Sequence, residues 1–314
     1  MFSEQAKEPR LSTTDYLGVI NYNRPIHLQE LWERTPRMKD KSLCFIGCGN
    51  MGRSLISGLL ADGYRAERIC AIDPDPEQRD TARSRFGIEV YADNPEIVHQ
   101  ADVLVLAVKP QQMQATLTAL AAAMDISQLP LVISVAAGIR VAAISRWLGR
   151  DLPVVRAMPN TPAMIRTGVS GLFANQQVGT EHRQQAEALL RSVGAVVWLE
   201  VEQHLDIVTA LSGSGPAYFF LIMELLEQAA VVLGLPAEQA RLLTMETALG
   251  AAKMVMESSH SAATLRRQVT SPGGTTEAAI AVLTRGRIDQ LVLHALQAAR
   301  DRSIELADRF GNRE

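Results

Sequence analysis

The sequence predicts an α/β protein, an N-terminal doubly wound sheet followed by an all-α C-terminal domain, and three observations carry that prediction. The short apolar run Leu43-Cys44-Phe45-Ile46 breaks into glycines at Gly47, Gly49 and Gly52, and apolar residues at helical spacing follow. From Ser42 to about Trp198, short apolar runs alternate with helical stretches, the pattern of βα repeats on a parallel sheet. After about Glu200 the apolar period is helical throughout.

The first strand spans residues 42–47, and Met51, Leu55, Ile56, Leu59 and Leu60 form the apolar stripe of the helix after it. In this G-x-G-x-x-G loop, Gly47 permits a tight turn, Gly49 lets phosphates approach the main chain, and Gly52 lets helix pack on strand. Unpaired N–H groups at the helix start then attract a pyrophosphate, so a Rossmann-type dinucleotide site is expected. Further strands are expected at 68–72, 102–107, 130–135 and 153–157, with weaker ones near 88–91, 169–173 and 195–199. The second ends in Asp73-Pro74-Asp75, about twenty residues past the glycines, where an acid hydrogen-bonds the adenosine ribose and repels a 2′-phosphate. An Asx turn helped by Pro74 is the structural alternative.

Ala107-Val108-Lys109-Pro110 and Val135-Ala136-Ala137-Gly138 each close a strand at the sheet edge that faces a ligand. Small Ala136 and Ala137 let a flat nicotinamide ring approach the backbone, and Lys109 favours cofactor negative charge or is a plain surface lysine. Arg156-Ala157-Met158-Pro159-Asn160-Thr161-Pro162 is a rigid turn whose purpose the residues alone do not reveal.

In the helical part, Ser212–Pro216 reads as flexible. Helices are expected from Pro216 to Gly234, from Pro236 to about Glu257, after Thr276, and from about Ile288 to Phe310. Helices this apolar need partners on several faces, which predicts a helical dimer interface. Ser271-Pro272-Gly273-Gly274-Thr275-Thr276 leads into a helix start whose N–H groups suit a carboxylate, with simple capping by Thr275 or Thr276 as the alternative.

A net charge of −3 gives no basic surface for nucleic acid and none for an anionic membrane. No uninterrupted membrane-length apolar stretch is read: Ala217–Leu233 carries Glu224 and Glu227 and reads as a buried helix. The three cysteines, Cys44, Cys48 and Cys70, are odd in number and lack ligand spacing, so they read as reduced packing residues of a cytoplasmic protein, with no metal site. Residues 1–37 mix prolines with charges and lack periodicity; they are expected to be a dispensable leader, with the working protein starting near Met38. The domains are therefore expected at 38–200 for the dinucleotide-binding part and 201–314 for the helical part.

Five segments together, Ile46–Gly52, Ala107–Pro110, Arg156–Pro162, Leu211-Ser212-Gly213-Ser214-Gly215-Pro216-Ala217-Tyr218 and Thr270–Thr276, resemble pyrroline-5-carboxylate reductases in order and spacing. The similarity runs from about Lys41 to Ala307, and the two C-terminal motifs are the specific ones. The resemblance implies reduction of 1-pyrroline-5-carboxylate to L-proline by hydride transfer from NADP(H), the last step of proline biosynthesis. It also implies an intertwined homodimer, with five dimers in a ring as the larger assembly, and sites at the subunit boundary. By that resemblance, Ile46, Gly47, Cys48, Gly49, Asn50 and Met51 bind the pyrophosphate, and Asn94 with Ala107–Pro110 contacts the ribose and nicotinamide side. Val135, Ala136 and Ala137 wall the ring, Gln268 adds a polar cofactor contact, and Glu202 is a substrate-side carboxylate. Ser271, Gly274, Thr275 and Thr276 hold the substrate carboxylate, with Thr276 as the catalytic partner of the ring nitrogen. Asp73 stands where many members carry a small hydroxyl residue, which leaves NAD(H) use open. A β-hydroxyacid dehydrogenase, with Lys253 as its acid–base residue, is the competing enzyme reading, and a non-catalytic dinucleotide sensor is the other.

Overall fold

The computed structural model describes residues 40–93, 95–98, 100–123 and 130–311, so the expected leader lies outside the described residues. Among the described residues, one compact unit takes those up to Glu224 together with Arg287–Gly311, and a second takes Leu225–Gly286.

The first unit is organised by an eight-stranded sheet of order β3-β2-β1-β4-β5-β6-β7-β8. The strands are β1 (Leu43–Ile46), β2 (Ile69–Ile72), β3 (Glu89–Tyr91), β4 (Val103–Leu106), β5 (Leu131–Ser134), β6 (Val154–Met158), β7 (Gly168–Ala174) and β8 (Gly194–Leu199). Every expected strand is present. β1 and β4 are buried along their whole length, as strands covered on both faces must be. The helices between them are α1 (Asn50–Ala61), α2 (Pro76–Phe86), α3 (Pro95–Val98), α4 (Pro110–Ala123), α5 (Val141–Leu148) and α6 (Thr180–Arg191). The strand order reverses between β1 and β4, which places the switch point directly beside the glycine loop.

The sheet is not wholly parallel, because β7 runs antiparallel to β6 while β8 runs parallel to β7. The link from Met158 to Gly168 holds only a short helical turn, Thr161–Ile165, too short for the crossover that a parallel neighbour needs. Asn160 clasps this link: its amide donates to the Ser212 carbonyl at 3.1 Å, and its side-chain oxygen accepts the Val169 N–H at 2.9 Å. The purpose of the Arg156–Pro162 turn is thus to reverse the chain and tie it to the first helical residues beyond the sheet.

Ser212–Pro216 is not a flexible linker. Helix α7 (His204–Val208) continues through a wide π turn, Thr209–Gly213, into α8 (Gly215–Val232). Methyl Cε of Met158 would lie 2.6 Å from a side chain at Gly213, so glycine fits the turn against the sheet and does not loosen it. The path His204–Val232 is 29 residues long and holds an 18-residue window with a mean hydropathy of 1.4, long and apolar enough by those measures to cross a bilayer. Helix α12 (Ile288–Gly311) belongs by packing to the sheet unit, where Leu306 and Phe310 join Ile46, Leu104, Ile144 and Trp147 in one core layer. The division by packing therefore falls later than residue 200, and the last helix returns to the first unit.

The second unit holds the rest of α8, then α9 (Ala237–Glu257), α10 (Ala262–Gln268) and α11 (Thr275–Arg285). Its surface is strongly apolar, with Leu226, Val232, Leu242, Leu249, Met256 and Val282 all exposed.

A buried charge network fixes the turn between β5 and α5. Arg156 of β6 donates to Glu202 Oε1 at 3.1 Å, and the Val141 N–H that opens α5 donates to the same oxygen at 2.8 Å. Arg140 reaches Asp206 Oδ2 at 3.4 Å, and the Ser303 hydroxyl of α12 donates to Asp206 Oδ1 at 2.8 Å. The Arg156 and Asp206 side chains are each 3% exposed, and each is met by a half-buried partner of opposite charge, Glu202 and Arg140. Burial pulls the Arg156 pKa below its ordinary value, and Glu202 opposes that shift. Removing one partner would strand a buried charge. Glu202→Ala is expected to lower the unfolding free energy by about 3 kcal/mol, and the paired change Arg156→Met with Glu202→Leu by clearly less. Urea denaturation of the three variants checks this; a Glu202→Ala midpoint equal to wild type would contradict it.

Candidate functional site

The glycine loop sits at the switch point because no other residue fits there. Gly47 has φ +101°, and a Cβ on it would meet the Ala107 carbonyl carbon and oxygen at 2.9 Å. Gly52 lies so close beneath the loop that a Cβ would stand 2.5 Å from the Gly47 oxygen. At Gly49, by contrast, a Cβ would meet nothing within 4 Å. Gly49 is the N-cap of α1, is extended, and provides no side-chain cap. The helix start therefore presents free backbone donors and partial positive charge toward open space, as a pyrophosphate requires. Ile46, Gly47 and Cys48 are buried, Gly49 and Met51 half-buried, and Asn50 exposed, its side-chain oxygen accepting from Arg53 at 2.8 Å.

Asp73 follows β2 at the same edge but faces inward. Its Oδ2 accepts the Cys48 N–H at 2.7 Å and its Oδ1 accepts the Asp75 N–H at 2.9 Å, leaving the residue 8% exposed. The Asx turn expected as the alternative is present, and the carboxylate also braces the glycine loop. Arg79, which sequence reasoning passed over, donates to the carbonyls of Asp73 at 2.9 Å and Pro74 at 2.7 Å. Its place three residues into a helix opened by Pro76 was the available signal.

Ala107 and Val108 are half-buried against the loop, Pro110 opens α4, and Lys109 is exposed. Across the sheet edge, the Val135 N–H donates to the Leu106 carbonyl at 3.1 Å, which seats Val135–Ala137 beside the end of β4. Ala136 is buried, while Val135 and Ala137 are half-buried. The structure thus brings Ile46–Met51, Asp73, Ala107–Pro110 and Val135–Ala137 to one edge of one unit, and their shape and donors fit a dinucleotide. Asn94 lies outside the described residues. Glu202 is in the same unit, but its Oε1 is committed to Arg156 and to the start of α5.

In the helical unit, Gly274 is the N-cap of α11 and offers no side-chain cap, so neither Thr275 nor Thr276 caps this helix. Gly273 has φ +72°, and its N–H donates to Glu277 Oε2 at 2.7 Å, folding the loop back on the first turn. Thr276 is half-buried, Ser271 and Thr275 are exposed, and Gln268 is exposed at the end of α10. This is a second helix start with uncapped donors and adjacent hydroxyls, suited to a small carboxylate. Burial and the nearby Asp73 push the Cys48 thiol up to about 12, so it carries little thiolate at neutral pH. Among the described residues, no cluster of three or more His, Cys, Asp or Glu is placed to hold a metal ion.

Comparison with known proteins agrees with this geometry. Residues 202–306 match the family described as pyrroline-5-carboxylate reductase dimerisation, and residues 42–138 match NADP oxidoreductase, coenzyme F420-dependent. The chain is 51% identical over 274 residues to the pyrroline-5-carboxylate reductase of Pseudomonas aeruginosa, covering 87% of this chain and all of that one. It is 38% identical to the Arabidopsis thaliana reductase over 84% of this chain and 94% of that one. Among solved structures, a reductase from Coxiella burnetii superposes with TM-score 0.81 at 45% identity, covering 85% of this chain and 98% of that one. The Plasmodium falciparum enzyme with NADP bound superposes with TM-score 0.76 at 27% identity, covering 86% and 99%. With two uncapped helix starts, a glycine loop at the switch point and this extent of identity, the chain belongs to the pyrroline-5-carboxylate reductase family and is an NAD(P)H-dependent oxidoreductase.

Proposed function

We propose that the chain reduces the C=N bond of 1-pyrroline-5-carboxylate to L-proline, using NADPH and accepting NADH. The observation that carries this is the presence of two uncapped helix starts, α1 after Gly49 and α11 after Gly274, in a member of this family. A reduced nicotinamide, when bound, supplies the hydride. The amides of Gly49–Met51 hold the pyrophosphate, and Ala107–Pro110 and Val135–Ala137 orient the ring, with Asn94 and Gln268 as further polar contacts. Ser271, Gly274 and Thr275 grip the substrate carboxylate, and the Thr276 hydroxyl hydrogen-bonds the ring nitrogen. A protonated imine is already a strong electrophile, so these residues chiefly align and need no strong general acid. Glu202 acts at one remove: by holding the start of α5 it fixes the Val135–Ala137 wall.

The cofactor reading is supported by the inward-facing Asp73, whose two oxygens are both taken by backbone N–H groups and do not reach outward for a ribose. The NADP named for the matching domain and for the Plasmodium falciparum structure points the same way. The assembly is a homodimer, five dimers forming the larger ring, in the cytoplasm. A second copy, not lipid, covers exposed Phe219, Phe220, Leu226 and Leu291. The matching dimerisation family supports that occupant.

Oxidation of NADPH dependent on added pyrroline-5-carboxylate, run beside hydroxyisobutyrate with NADP, tests the reaction. Activity with the hydroxy acid alone would favour the Lys253 reading, and activity with neither would favour the sensor reading. Thr276→Val is expected to lower kcat/KM for the imine by ~10–100-fold, the scale of one positioned hydrogen bond. Full retained kcat/KM would remove Thr276 from the mechanism. Asp73→Ala is expected to raise KM for NADH and NADPH by a similar factor of about ten, since it unbraces the loop both must use. A selective gain with NADPH would show instead that Asp73 reads the ribose.

A further inference from the structure

Two of the three cysteines lie on neighbouring strands, away from the nucleotide edge. The parallel register of β1 and β2 pairs Cys44 with Cys70 directly. Alternation along the strands sends both thiols to the same face: Cys44 belongs to the core layer under that face, and Cys70 packs against it. The Cys70 thiol donates to the Leu43 carbonyl at 3.5 Å, which holds it beside the strand that carries Cys44. Cys44 is buried, but Cys70 is half-buried and lines a groove of about 460 Å³. That groove is bordered by Ser42, Arg68, Glu89 and Gln100.

We propose that Cys44 and Cys70 form an oxidisable dithiol, a modification site that a small peroxide reaches through this groove and converts to an intrachain disulfide. Register partners on adjacent strands lie about 4.8 Å apart, inside the Cα separation that a disulfide spans. The Cys70 thiolate attacks the peroxide: an S–O bond forms, the O–O bond breaks, and the departing hydroxide takes a proton and leaves as water. The Cys44 sulfur, its proton passing to the second leaving hydroxide, then attacks the Cys70 sulfenic sulfur; the S–S bond forms, the S–O bond breaks, and a second water departs. Two electrons pass from the dithiol to the peroxide. The neighbouring Cys44 thiol favours thiolate at Cys70, the sulfur the groove exposes. Cys48, on the loop at the opposite end of β1, has no thiol as its register partner and serves as an internal control.

The full chain, treated with hydrogen peroxide and quenched with an alkylating reagent, tests the proposal by peptide mapping. The expected product is one peptide pair joined through Cys44 and Cys70, two hydrogens lighter than the reduced pair and separated by a thiol reductant, with Cys48 alkylated only after unfolding. In Cys44→Ser, Cys70 should run on to sulfinic acid unlinked. Sulfinic acid at Cys70 in the wild-type chain with Cys44 still a free thiol, a link to Cys48, or only intermolecular bonds would each overturn the proposal. Because the wild-type mapping stands alone, a poorly folding Cys44→Ser variant does not decide the outcome.

Discussion

The contact on which the site depends is the approach of the glycine loop to the end of β4. Gly47 can lie against Ala107 only without a side chain and only with positive φ, and Gly52 can sit under Gly47 only on the first condition. Because of these two contacts, α1 starts at the point where the strand order reverses, with its free amides facing outward. Asp73 completes the arrangement from the next strand by accepting the Cys48 N–H, so two strand ends and one helix start move as a piece. On this side of the edge the glycine loop is positioned by backbone packing and one short carboxylate, with no long side chain involved. Such a site is rigid before a ligand arrives, and that lowers the entropy lost on binding.

The opposite side of the nucleotide edge is held by charge. The β5–α5 turn carries the small residues Val135, Ala136 and Ala137, and small residues anchor themselves poorly. Arg156, Glu202, Arg140, Asp206 and Ser303 supply the anchoring from below, drawing in β6, α7 and α12. A buried network of this kind adds little net stability compared with apolar packing, but leaving any member unpaired is expensive, and that asymmetry defines one geometry.

Much of this was legible in the residues. Strands β1, β4 and β5 are short apolar runs buried along their whole length, and burial on both faces makes such runs readable from sequence. The glycine loop was legible because Gly47 and Gly52 each have a steric reason of their own, while Gly49 faces open space. The direction of β7 was not, since an apolar run looks the same in either sense and only the short link after Met158 decides it. The π turn at Thr209–Gly213 was misread because Gly213, Ser214 and Gly215 signal a loop locally, while packing against Met158 holds them in a helix. Asp73 was placed on the right edge, but whether its carboxylate points at a ribose or at the loop's own amides is a matter of side-chain direction, which spacing does not encode. The charge network was unreadable for the same reason: its members lie far apart in sequence, and Glu202 looks like any acid at a helix start.

The helical half raises a different constraint. Helices α8, α9, α11 and α12 expose Phe219, Phe220, Leu242, Leu249, Val282 and Leu291, far more apolar surface than a lone soluble chain normally shows. Hydrophobic burial is nearly proportional to area, so such faces gain most of their stabilisation only once covered. The matching segment, described as pyrroline-5-carboxylate reductase dimerisation, supports association as the means of covering them. The uncapped start of α11 lies in that same helical unit. Its amides and Thr276 are therefore carried on elements whose stability depends on association, whereas the glycine loop is carried on a sheet that closes its own core. Nucleotide-binding geometry should accordingly survive dilution that erodes the helical unit, because only one of the two helix starts rests on a self-sufficient fold.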